Sequence, residues 1–114
     1  MIAFATRLYS TCLGRKPDDN GLKNWSLQLA NLKVTGTKAA YGFFFSEEFL
    51  KAKHSDDEFI KRLYRTFMGR EYDQGGYDYW MGRIAGGATR EEVFYGFANS
   101  KEFGQICADY GILR

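Results

Sequence analysis

Phe4-Ala-Thr-Arg-Leu-Tyr-Ser-Thr-Cys-Leu-Gly-Arg15 recurs as Phe59-Ile-Lys-Arg-Leu-Tyr-Arg-Thr-Phe-Met-Gly-Arg70, an offset of 55 residues. Self-similarity at a fixed period marks a chain built from repeated supersecondary units. The match runs on: Asp18 pairs with Asp73, Gly21 with Gly76, Trp25 with Trp80 and Ala30 with Ala85. A loop one residue shorter in the second copy then changes the offset to 54. Beyond it Tyr41-Gly-Phe43, Ser46 and Glu48-Phe49 return as Tyr95-Gly-Phe97, Ser100 and Glu102-Phe103. The chain divides into a first unit, residues 1–54, and a second, residues 55–114, which together form one domain because neither alone buries a comfortable core.

Each unit reads as helices. Phe59, Leu63, Phe67 and Ile60, Tyr64, Met68 recur at spacings of three and four, one broad apolar stripe. Ser55-Asp-Asp-Glu58 predicts a capping box at its start, and Gly14 and Gly69 stand where a left-handed residue stops a helix. Asp18 and Asp73 are expected to cap second helices striped by Leu22, Trp25, Leu29 and Leu32 and by Tyr77, Trp80 and Ile84. Thr35 and Thr89 start third helices, and Ser46 and Ser100 either cap a short fourth helix or interrupt the third. Proline occurs once, at Pro17, and no run alternates as a half-buried strand does. The fold class expected is all-α: two tandem repeats of three to four short helices packed into one compact helical domain.

Composition narrows the chemistry. The 114 residues carry 16 Lys+Arg against 14 Asp+Glu, and ten Phe, eight Tyr and two Trp. A formal charge of +2, with basic residues scattered, offers no field for nucleic acid, and no helix reads as a basic recognition helix. No stretch approaches the ~18–20 apolar residues of a membrane span, so membrane insertion is not expected. The sole histidine, His54, lies in the charged stretch Lys51–Asp57 and reads as part of a solvated junction. With only Cys12 and Cys107 beside it, a Cys/His metal site lacks ligands. The two cysteines read better as separate thiols on apolar helical faces than as a bridge. Asp18-Asp-Asn-Gly21 suggests a calcium loop, but with Gly21 sixth the first and twelfth positions are Lys16 and Leu27, which supply no carboxylate. The plain reading is an aspartate cap, with Arg15 or Arg70 bridging loop carbonyls. No catalytic residue, metal or cofactor is expected.

Candidate ligand contacts come from residues that the copies do not share. Trp25 and Trp80 recur in register on apolar stripes and are assigned to the core. In the second copy Tyr72 replaces Pro17 and Tyr79 replaces Asn24, close in sequence to Asp73, Gln74 and Arg83. An aromatic face stacking on a sugar ring, with polar neighbours reading its hydroxyls, makes Tyr72, Tyr79, Asp73, Gln74 and Arg83 the expected ligand-binding set. In Tyr41-Gly-Phe-Phe-Phe45, Phe44 and Phe45 face Ala98 and Asn99 in the second copy, so an excess aromatic covers either the junction between units or a partner. Phe44, Phe45 and Phe94 are the corresponding contacts if the chain is instead a docking module.

The set Leu63-Tyr64, Gly69-Arg70, Asp73, Gly76, Trp80, Ser100 and Glu102-Phe103, present earlier as Leu8-Tyr9, Gly14-Arg15, Asp18, Gly21, Trp25, Ser46 and Glu48-Phe49, resembles the bacterial domain-of-unknown-function family 4214 over nearly the whole chain. Tyr72 departs from it, standing where the family often has proline. The resemblance implies an accessory module of large secreted or surface-anchored bacterial proteins, beside polysaccharide-acting enzymes, adhesins, calcium-binding repeats and surface-layer components. It brings no catalytic residues. The function expected is a non-catalytic extracellular or cell-surface binding module recognising a polysaccharide, a glycan surface or the cell envelope. The alternative is a structural protein–protein interaction or assembly module that docks neighbouring protein domains.

Overall fold

A computed structural model describes residues 2–114, and among them the chain is all-helical, with no strand and no helix long and apolar enough to cross a membrane. In the first unit α1 (Ile2–Leu8) continues as a π-helical turn, Tyr9–Leu13, followed by α2 (Asp19–Ala30), α3 (Gly36–Phe44) and α4 (Glu47–Lys51). The second unit repeats the order as α5 (Asp56–Met68), α6 (Gln74–Ala85), α7 (Arg90–Ala98) and α8 (Lys101–Tyr110). Gly14 and Gly69 close the first helix of each unit at φ of 69° and 65°, the left-handed region that favours glycine. Asp18 and Asp73 accept the backbone N–H of Gly21 and Gly76 at 2.9 and 2.8 Å. Ser46 and Ser100 cap α4 and α8, so each unit has a true fourth helix. The reciprocal capping box forms at Thr89 with Glu92; at Ser55 only one half forms, because Glu58 turns to Arg62 instead.

The two units face each other across a local two-fold axis. Thr11 and Thr66, equivalent residues, share a hydrogen bond at 2.7 Å. Their equivalent arginines cross over it reciprocally. Arg7 donates to the carbonyls of Arg65 and Thr66 at 3.1 and 2.9 Å, at the C-terminal end of α5. Arg62 donates to the carbonyl of Cys12 at the end of the first helix. Each guanidinium thus satisfies carbonyls that a helix end leaves unpaired. The contacts are isologous in the sense of a symmetric dimer: Phe4 meets Phe103 at 6.4 Å, and their equivalents Phe59 and Phe49 meet at 6.3 Å.

The core departs from symmetry where two large residues would collide near the axis. Phe44, Phe67 and Phe94 contact one another at ring separations of 5.2–6.0 Å. Their counterparts are Ala98, Cys12 and Ala40, all buried. Large opposite small is the arrangement that fills an interior without voids. Phe44 is therefore the excess aromatic at the junction, and Phe44 and Phe94, fully buried, are unavailable to a partner. His54 rests on Phe49 at 4.8 Å instead of standing in solvent, and burial lowers its pKa. Cys12 and Cys107 are free and buried, and burial raises both thiols, Cys107 to about 11.

One detail breaks the arginine symmetry. Arg62 Nε is held by Glu58 at 2.8 Å, whereas Arg7 Nε is buried without a partner, because Ala3 occupies the position equivalent to Glu58. Ala3→Glu is expected to add about 0.5 kcal/mol as a Glu–Arg pair near a helix start. Arg62→Ala is expected to cost about 1–3 kcal/mol, since it leaves the Cys12 carbonyl unpaired, while Glu58 keeps Arg65 at 4.0 Å and contact with water. Urea unfolding of the three proteins checks both. The capping aspartates make a second prediction. Folding lowers the pKa of Asp18 and Asp73, chiefly through the Gly21 and Gly76 N–H bonds, with Arg15 and Arg70 adding to it. Between folded and unfolded pKa values the folded chain binds fewer protons, so stability is whole above the ordinary aspartate range and declines as pH falls below about 4. Asp18→Asn with Asp73→Asn keeps the caps and should flatten that decline in urea midpoints recorded from pH 7 to pH 3.

Candidate functional site

The motif shared by the two units is scaffold, residue by residue. Arg15 lies 5.0 Å from the centre of the Tyr9 ring and bonds Glu48 with both Nε and Nη2 at 2.8 Å, while Nη1 reaches the Lys16 carbonyl at 3.0 Å. Arg70 repeats this with Tyr64, Glu102 and the Glu71 carbonyl. These arginines do bridge loop carbonyls, and they tie the loop after the first helix to the start of the fourth. The glycines serve close approach: a Cβ at Gly21 or Gly76 would lie 2.2 Å from the Tyr9 or Tyr64 hydroxyl. At Gly42 and Gly96 a Cβ would meet the indole of Trp25 or Trp80 at 2.9 and 2.4 Å. Both tryptophans are half-buried and lie against Phe43 and Phe97 at 5.3 and 4.9 Å, the packing role expected of them.

The five residues singled out in the second unit fall into separate places around α6. Tyr72 is half-buried and packs against Tyr77, the rings tilted by 35° with centres 4.7 Å apart. The Tyr77 hydroxyl donates to Asp57 at 2.5 Å, a bond that pushes its pKa up to about 12, and Lys61 joins Asp57 at 3.0 Å. This cluster faces α5. Tyr79, two residues on, is turned by about 200° around the helix. It is 54% exposed, edge-on to Trp80 at 5.0 Å, and its hydroxyl accepts from Arg83 at 3.2 Å. Gln74 donates to Asp78 at 2.9 Å, and Asp73 is occupied as a cap and by Arg70 at 3.2 Å. The structure therefore joins Tyr79 with Arg83 and sets Tyr72 apart from them.

Two surface features lay outside the expected set. The first is a row of rings: Tyr41 stacks on Phe45 at 4.5 Å and lies near-parallel to Tyr95 at 6.1 Å. Tyr41 and Tyr95 are equivalent residues meeting across the axis. Tyr41 is two positions from the core residue Phe43 and Tyr95 two from Phe97, which turns each onto the other helical face. Burial raises the Tyr41 pKa, and Glu91 adds to it. The second feature is an apolar groove of about 410 Å³ between α1 and α2, walled by Ile2, Leu22, Leu27 and Ala30 over the buried, unpartnered hydroxyl of Ser26. At the equivalent place in the second unit Asp57, Tyr77 and Gly82 stand for Ile2, Leu22 and Leu27, and the Tyr77–Asp57 bond with Tyr72 packed on it covers the surface. Near the end of α2, Leu32 is 59% exposed at φ 56°, where the second unit has Gly87. A leucine held left-handed and exposed is costly twice over.

Comparison with known proteins adds one match. The family described as Domain of unknown function (DUF4214) matches over residues 2–53 and again over 40–107, consistent with two tandem copies. No curated protein and no solved structure matches the chain. The matched residues include the tyrosine, glycine, arginine, aspartate, tryptophan and glutamate contacts that hold each unit together, and the chain belongs to the DUF4214 family.

Proposed function

We propose that the chain is a non-catalytic extracellular binding module of a larger secreted or surface bacterial protein, recognising carbohydrate or the cell envelope. The observation that carries this reading is Tyr79: a phenol 54% exposed, braced edge-on by Trp80, with the Arg83 guanidinium at its hydroxyl. The negative face of an aromatic ring attracts the C–H face of a sugar, and an arginine fixed beside it donates to hydroxyl or carboxylate oxygens. Because the ring is anchored on α6 before any ligand arrives, little side-chain entropy is lost on binding. Gln74 lies at the start of the same helix, Asp73 acts through the cap that sets that start, and Tyr72, held against Tyr77 on the α5 side, stands apart from this face.

A second reading, a structural or assembly module, is favoured by the α1–α2 groove with Ile2, Leu22 and Leu27, apolar where the second unit has Asp57, Tyr77 and Gly82. Exposed apolar residues grouped in this way suit contact with another protein surface. A glycan array probed with the wild type, Tyr72→Ala and Tyr79→Ala separates the two. The carbohydrate reading expects wild-type binding to at least one glycan and at least a tenfold weaker signal for Tyr79→Ala, with a smaller loss for Tyr72→Ala. No wild-type binding to any glycan, or equal binding by all three, rejects it. The assembly reading expects light scattering to rise with concentration or on adding flanking domains, and Leu27→Glu to abolish that rise. A monomer at every concentration that ignores its neighbours rejects the second reading.

A further inference from the structure

The ring row at the two-fold axis is a built platform. Tyr41 lies at 30° to Phe45 and 28° to Tyr95, so the three rings stand as a short stack spanning α3 and α7. Phe94, fully buried, meets all three edge-on, at 5.6 Å for Tyr41, 5.6 Å for Phe45 and 5.2 Å for Tyr95. Phe94 is itself wedged against Phe44 and Phe67 in the centre of the core. The stack is thus anchored by the best-packed part of the molecule, while Tyr95 at its end is 45% exposed. Glu91, exposed one turn before Tyr95 on the same face of α7, supplies a carboxylate acceptor at the rim.

Core packing accounts for Phe94 and for the inner faces of Phe45 and Tyr41. It does not account for extending the stack with a tyrosine nearly half in water, on an exposed helix face where a polar residue satisfies the fold. An aromatic face with a hydroxyl, a neighbouring phenol and a carboxylate acceptor, all held by a rigid post, matches a ring that is apolar on one face and hydroxylated at its edge. The geometry points to the Tyr41–Tyr95 platform as a carbohydrate subsite that takes a neutral pyranose ring of a polysaccharide on Tyr95, with Glu91 accepting from its hydroxyls. This rests on the carbohydrate reading above and assigns it a site distinct from Tyr79. A neutral sugar is favoured over a uronate because Glu91 would repel an acidic ring.

Affinity electrophoresis tests it with the intact 114-residue chain in native gels cast with laminarin, hydroxyethyl cellulose, xyloglucan, α-mannan or, as an acidic control, polygalacturonate. The expected result is retardation of the wild type by at least one neutral polysaccharide. Tyr95→Ala should weaken the apparent affinity at least tenfold, and Tyr95→Trp, which keeps a stacking face, should retain or strengthen it. Glu91→Gln should weaken it several-fold, and near-ultraviolet circular dichroism should show each variant folded. Loss in Tyr79→Ala with Tyr95→Ala unchanged overturns the platform while leaving the carbohydrate reading standing. Retardation by polygalacturonate alone overturns the neutral-ring assignment. Retardation by none of the four neutral polysaccharides overturns the platform, and the glycan array then decides the carbohydrate reading separately.

Discussion

The reciprocal crossing of Arg7 and Arg62 is the constraint on which the rest of the structure depends. Each first helix ends in a left-handed glycine and leaves carbonyls facing the other unit, and each is met by a guanidinium from that unit. An unpaired carbonyl in the interior costs about as much as the bond it lacks, and each half-buried guanidinium removes that cost for the other unit, although Arg7 Nε stays unpaired among the described residues. These reciprocal bonds hold the placement of the two units. That placement brings Thr11 to Thr66, Phe4 to Phe103 and Phe59 to Phe49, and it sets how much room remains for side chains near the axis.

Within each unit the DUF4214 residues form a second closed set. Arginine, tyrosine, aspartate and glutamate lock the loop after the first helix to the starts of the second and fourth, and the glycines admit a tyrosine hydroxyl and a tryptophan ring. These side chains are spent on one another. Exposed tyrosines of the second unit, the apolar groove of the first and the rings on the axis all lie outside this set. Family membership thus identifies the scaffold, and the exposed aromatic and apolar features lie at residues by which the units differ or at which they meet.

Most of the scaffold was legible in the sequence because its signals are local: caps at Asp18, Thr35, Ser46 and their partners, stops at Gly14 and Gly69, and stripes at helical spacing. The pairing of the units was legible only as a need for burial. Nothing in the periodicity assigns Arg7 to α5, since a charged residue beside an apolar stripe reads as solvated until the helix end it caps is known. The same limit applied to ligand contacts. Tyr72 and Tyr79 are neighbours in sequence, but five residues from Tyr72 to its packing partner Tyr77 and two more to Tyr79 carry the chain around α6, so one ring is tied to α5 and the other stands free. Recurrence in register does not by itself mark core: it coincides with burial at Phe43 and Phe97 but not at Tyr41 and Tyr95, which meet on the axis near the surface.

Fusion of the two units has a physical consequence that a true dimer of one unit lacks. In an exact dimer, a residue beside the axis meets its own copy, and two phenylalanines at the Phe44 position, two at Phe67 and two at Phe94 would overfill the same space. Joining the units in one chain lets each of these pairs become one large and one small: Phe44 with Ala98, Phe67 with Cys12, Phe94 with Ala40. The core gains density because its symmetry is broken, and the break propagates outward. Phe94 props the ring row, whereas Ala40 at the equivalent place props nothing. Asp57 and Tyr77 cover the second unit's groove, whereas Ile2 and Leu22 leave the first unit's open. With the arginine crossing holding the placement, one copy supplies what the other lacks, and the open groove and the propped ring row both arise where the copies differ.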